Sequence, residues 1–143
     1  MNTPIKSDGL LRRTLSERVV IADGAMGTMV QNLALSDAAF GGPEFKMLTD
    51  LLVFSRPDDL EGIHLEYLQA GANLIETDTF GASPLRLKEF DFSKFDPSDL
   101  KAIPDNLDLQ TCSLESLTLR LNIEGCRIAK RAIEKYRVQS DYD

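Results

Sequence analysis

An α/β fold is the class this sequence predicts, on three observations. Residues 19–23 (VVIAD) form an apolar run that stops on a carboxylate, as expected of a parallel strand buried on both faces. A helical period over 57–71 runs straight into a second strand-like stretch, 74–79 (LIETDT). A long helical period over 113–136 then completes the order strand, helix, strand, helix, which right-handed crossovers fold onto a parallel sheet.

The elements follow in order. Ser7 to Arg18 reads as a short helix, with Leu10, Leu11 and Leu15 on one face and Ser7 as its cap. Val19 to Asp23 is the first strand, residues 28–35 open a helix, and "FGGP" at 40–43 is a loop. Ser55 followed by Pro57 and Asp58 marks a helix start. Leu60, Ile63, Tyr67 and Leu68 carry its apolar face, and Gly71 stops it. Leu74 to Thr79 is the second strand. Residues 88–112, acidic and without a sustained period, read as a surface insertion. The last helix carries Leu117, Leu121, Ile128, Ala132 and Tyr136 on one stripe, ahead of a polar, frayed tail.

The bulk numbers narrow the class. At 143 residues the chain is about one domain long. Sixteen basic against 23 acidic residues leave a net charge of −7, which argues against a nucleic-acid partner. No apolar run approaches the ~18–20 residues a bilayer requires, and "MNTPIKSDGLLRR" lacks the apolar segment of a secretory signal. Two cysteines, Cys112 and Cys126, make no disulfide framework and fit a reducing cytoplasm.

Both strands end in polar residues: Asp23-Gly24 on the first, Glu76, Thr77, Asp78 and Thr79 on the second. Ligands of α/β folds gather at those ends. Gly24 and Gly27 let backbone N–H groups approach an anion, while Asp23 repels a phosphate. A ligand with an ammonium beside a carboxylate satisfies both, and that is the backbone of an amino acid. The plainer alternative is a tight strand-to-helix turn with Asp23 capping the helix. A phosphate loop is disfavoured, since no lysine follows "GAMGT".

"DGAMGTMVQ" together with "TDLLVFSRPDDLEGIHLEYLQAGANLIETDTFGAS" resembles the start of the homocysteine S-methyltransferase domain, most closely in the cobalamin-dependent methionine synthases. The resemblance covers about 10–90 and resumes over about 119–133. It implies the N-terminal portion of a (β/α)₈ TIM barrel, about two strands and their helices. The implied reaction moves a methyl group from methylcobalamin, charged by 5-methyltetrahydrofolate, to a zinc-bound homocysteine thiolate. By the same resemblance Asp23 accepts the homocysteine ammonium, Gly24 offers its backbone, and Glu76, Thr77, Thr79 and Phe80 line the rim. The family usually carries Asn where Asp78 stands, so no role is carried over to Asp78.

The family's zinc-binding cysteines, an Asn-Cys motif and a Cys-Cys pair, are absent from this sequence. Cys126 is expected to be a small buried hydrophobe in the last helix, Cys112 a cap or an exposed thiol, and His64 a residue on or beside the apolar helix face. No metal ligand or catalytic residue is therefore expected in this chain. Zinc and cobalamin are expected of the complete enzyme. Residues 1–143 are expected to be an incomplete homocysteine-binding domain, inactive alone and completed in cis or by another chain. The alternative is a non-catalytic fragment or split-barrel subunit that binds an amino acid or a partner chain.

Overall fold

A computed structural model of the chain describes residues 8–101 and 107–140. The expected cap at Ser7 lies outside them, as do parts of the insertion and tail. Six α-helices occur among the described residues: α1 (Asp8–Glu17), α2 (Met26–Asn32), α3 (Leu52–Ser55), α4 (Pro57–Gln69), α5 (Pro84–Leu87) and α6 (Leu114–Gln139). Short 3₁₀ turns fill the links between α2 and α3 and between α5 and α6.

The frame is α4 packed on α6. Leu60, Ile63, Leu65 and Leu68 of α4 are buried, as are Leu117, Leu121, Ile128 and Ala132 of α6, the stripe read from the sequence. Each helix carries its apolar residues at a period of 3.6, so one face of each leaves water when they meet. Glu61 of α4 then accepts from Arg131 Nε at 2.8 Å and Lys135 Nζ at 3.3 Å of α6, across the rim of that contact. Those two cations, Arg131 first, hold the Glu61 carboxyl below its usual range. Helix α6 starts on Ser113, whose hydroxyl accepts from Ser116 N–H at 3.2 Å.

Helix α4 begins differently from its sequence signature. Ser55 is the last residue of α3, and its hydroxyl donates to the Ala39 carbonyl at 2.5 Å instead of capping α4. Pro57 in the first turn and the acids Asp58 and Asp59 remain as start signals. At the far end Gly71 takes φ of +100°, and the N–H groups of Gly71 and Ala72 bond back to Leu68 and Tyr67. Glycine adopts that left-handed turn without strain, so the predicted stop is where the helix ends.

Both strands are shorter than the sequence predicts. They meet in one parallel bridge, Ala22 to Leu74, with Asp23 N–H donating to Leu74 O at 2.9 Å and Leu74 N–H to Ile21 O at 3.2 Å. The expectation that the first is buried on both faces is corrected: Val19 is 83% and Ile21 58% exposed. A parallel strand is buried only when neighbouring strands and helices cover it, and among the described residues none covers this edge. Helix α1 forms as expected, yet Leu10, Leu11 and Leu15 are all exposed for the same reason.

Of the described residues in 88–112, Lys94, Asp96 and Pro97 are exposed while several apolar side chains are buried. Phe92, Phe95, Leu107 and Leu109 are buried. Phe45 is the hub: its ring lies 6.0 Å from Phe90 in a stack, 5.4 Å from Phe92, and 5.4 Å from Phe95 edge-on. Such offset and edge-to-face pairs add about 0.5–1.5 kcal/mol each beyond area burial.

Candidate functional site

The single bridge brings two chain segments side by side, 23–27 and 76–80. A cleft of about 430 Å³ opens where they end. Asp23, Gly24, Glu76, Thr77 and Phe80 line it, with Thr49 and Asp78. Of the six residues named from the sequence, Thr79 alone is turned away. Its hydroxyl lies 2.7 Å from that of Thr77, and its methyl faces Gly125 of α6. Phe80 is fully exposed at the mouth.

Asp23 is held at one oxygen only. Its Oδ2 accepts from Glu76 N–H at 3.0 Å, which ties the end of the first strand to the second. Its Oδ1 is buried and has no hydrogen-bond partner. A buried acceptor left without a donor costs roughly 1–3 kcal/mol. The alternative of Asp23 as a helix cap is not what forms: α2 begins after Ala25 with no side-chain cap bond. Behind the cleft, the Tyr67 ring of α4 lies against Gly24.

Sequence reasoning left Asp78 without a role and passed over Thr49 and Asp50. Asp78 is 6% exposed, accepts from the Thr49 hydroxyl at 3.0 Å through Oδ1, and has a partnerless, buried Oδ2. Burial pushes its carboxyl up to about 6, against the Thr49 bond and with the help of the nearby Asp50 charge. Asp50 is 3% exposed, accepts from Gly81 N–H at 2.8 Å, and is raised by burial too. No local signal marks Thr49, because it arrives from a 3₁₀ turn 29 positions upstream of Asp78. The signal for Asp78 was present: an acid within an otherwise strand-like run.

The cysteines and the histidine are not grouped. Among the described residues, no cluster of three or more His, Cys, Asp or Glu is placed to hold a metal ion. Cys126 is exposed, which corrects its expected burial: it lies on α6 beside the buried stripe and outside it. Cys112 is half-buried against the core, and burial raises its thiol pKa, away from the thiolate that binds zinc. His64 is buried in α4 with Nδ1 unpartnered; burial lowers its pKa, while the charge of Asp23 acts to raise it. This donor set does not fit zinc. No helix among the described residues is long and apolar enough to cross a membrane.

The sequence profile of the homocysteine S-methyltransferase family matches residues 20–140. Methionine synthase of Mycobacterium leprae (strain TN) is 43% identical to the chain over 83 residues, 58% of this chain and 7% of that relative. The chain thus spans a small part of the relative's length. The profile match takes in both strand ends, α4, α6 and every residue of the cleft, so this chain belongs to the homocysteine S-methyltransferase family.

Proposed function

We propose that the cleft holds the amino-acid end of homocysteine, and that the chain is the N-terminal part of the homocysteine-binding module of a methionine synthase. The place of Asp23 in the cleft lining, beside Gly24, Glu76 and Thr77, carries this reading. The cleft that Asp23 lines has no lysine, arginine or histidine in its lining, and an α-ammonium supplies the cation such an acidic lining lacks. The turn 24–27 leaves room for the ligand's carboxylate beside its backbone. The family profile and the relative's name support homocysteine over other amino acids.

In this reading the methyl donor is methylcobalamin, itself methylated by 5-methyltetrahydrofolate, and zinc activates the thiol. The residues that would hold zinc and cobalamin lie outside this chain, and no step is assigned to its own cysteines. Its residues orient the substrate: Asp23 fixes the ammonium, and Thr77 and Phe80 bound the space around the side chain. The bare edge at Val19 and Ile21 favours completion of a (β/α)₈ barrel by further strands, in cis or from another chain.

The test is homocysteine binding by calorimetry with Asp23→Asn. Loss of the charge-assisted bond should weaken binding by about tenfold or more, given ~1.5–3 kcal/mol for such bonds. Unchanged affinity would remove Asp23 from the site and the reading with it.

A further inference from the structure

Phe80 is the exception among the seven phenylalanines of the chain. Phe40, Phe45, Phe54, Phe92 and Phe95 are buried and Phe90 packs half-buried against them, whereas Phe80 stands fully in water at the mouth of the cleft. Its neighbours along the chain do not share that exposure. Asp78, Gly81 and Ala82 are all buried. The backbone here is held down while one ring is left out.

Two side chains remote in sequence do the holding. Asp50, in the 3₁₀ turn Thr49–Leu51, accepts from Gly81 N–H at 2.8 Å through Oδ1. Its other oxygen comes so close that a Cβ built on Gly81 would stand 2.7 Å from it, so only glycine admits the carboxylate. Asn122 of α6 donates from Nδ2 to Ala82 O at 3.0 Å and to Thr118 O of its own helix at 2.8 Å, which fixes the direction of the amide. Ala82 N–H closes the turn onto Thr79 O at 3.1 Å. The Phe80 backbone is therefore set by a turn and a helix, and its ring keeps only rotation about its own side-chain bonds.

We propose that Asp50 and Asn122 are positioning residues for ligand binding: they hold residues 80–82 so that the Phe80 ring covers the apolar end of the ligand's side chain. This rests on the amino-acid reading above and names what the cleft selects. The lining carries three acids, Asp23, Glu76 and Asp78, and its large apolar side chains are Phe80 and Met26, one from each strand-end segment. An amino acid whose side chain ends in sulfur fits that division, because a polarizable thiol or thioether makes favourable contacts with an aromatic ring. Homoserine, the oxygen analogue, has the same amino-acid end but a hydroxyl that would lose its water under the ring.

The experiment is calorimetric titration of the full chain with homocysteine and with homoserine, in wild type, Phe80→Ala, Asn122→Ala, the double variant and Asp23→Asn. Wild type should prefer homocysteine about tenfold. Phe80→Ala should remove most of that preference, whereas Asp23→Asn should weaken both ligands alike. Asn122→Ala should cut the preference by about threefold or more. In the Phe80→Ala background it should add nothing, since it acts through the ring. Asp50→Asn keeps an acceptor for Gly81 N–H and should retain the preference that Asp50→Ala loses. Two wild-type measurements need no variant to fold: an NOE between the Phe80 ring and the homocysteine γ-methylene, and slower amide exchange at Gly81 once homocysteine is bound.

A preference that survives Phe80→Ala, or the absence of that NOE, would overturn the proposal by taking the ring out of the site. Unchanged Gly81 exchange would overturn it too, as would an Asn122→Ala loss equal for both ligands and additive with Phe80→Ala, which marks a packing residue only. If Phe80→Ala leaves both affinities alone and shifts the chain toward monomer in sedimentation, the ring belongs to a contact between chains and the proposal fails. Homocysteine binding that needs Asp23 and ignores Phe80 defeats this inference and leaves the reading above standing; no binding by wild type defeats both.

Discussion

Asp78 sets how stability varies with pH, independently of any ligand. Its carboxyl ionises near 3.8 when unfolded and near 6 when folded, chiefly because burial disfavours the charge. The folded state therefore binds the proton more tightly. The favourable contribution is complete below about pH 4 and is lost as pH rises through about 6, at a cost of about 3 kcal/mol by pH 7. Asp50, raised by burial as well, acts in the same sense. His64 acts in the opposite sense: its lowered pKa means stability is lost as pH falls below the usual histidine range. The wild-type profile mixes these, so a variant is needed. Asp78→Asn should stabilise the chain by about 2–3 kcal/mol at pH 7 and change little at pH 4. Urea unfolding at the two pH values measures it; an equal effect at both would show that the ionisation of Asp78 is not the cause.

At the scale of elements, the position of the second strand end depends on α6. A Cβ built on Gly125 would lie 2.6 Å from Thr79 Cγ2 and 3.6 Å from Thr77 Cβ, so the helix backbone rests directly on that segment. Gly125→Ala should destabilise by about 1–3 kcal/mol through overpacking. Thr79→Ser removes the methyl that clashes, and the double variant should recover much of the loss, a coupling that a double-mutant cycle reads directly. Additive effects would mean the contact is not what makes Gly125 necessary. Ser113→Ala removes the single side-chain cap of α6 and should cost about 1 kcal/mol in thermal or urea unfolding. Glu61→Gln should cost less than about 1 kcal/mol, because its partners Arg131 and Lys135 are about half exposed.

At the scale of the molecule, the apolar surface is unevenly shared. The helical side, where α4, α6 and the phenylalanine cluster meet, is closed. The opposite edge leaves Val19, Ile21, Leu74 and the leucines of α1 open to water. Such an edge pairs with whatever strand is offered to it. The 143-residue chain by itself should therefore self-associate at micromolar concentration, and Val19→Lys with Ile21→Lys should shift it toward monomer in sedimentation velocity. A wild-type chain that stays monomeric at high concentration would show that the edge needs no partner.

The helices and the place of the cleft were legible in the sequence because both follow from local signals. Amphipathic period placed α4 and α6, the Pro57 start and Gly71 stop bounded α4, and the Asp-Gly step after an apolar run located the cleft. Three things were decided only by tertiary packing. Burial of the first strand depends on neighbours that its own residues do not specify, so Val19 and Ile21 read as core and lie in water. The side of α6 on which Cys126 falls depends on where α4 docks. The strength of Asp78 as an acid depends first on its burial and then on Thr49 and Asp50, brought to it from 29 and 28 positions away. Period and turn chemistry act over a few residues and can be read along the chain; desolvation and pairing act through space, and only the folded chain sets them.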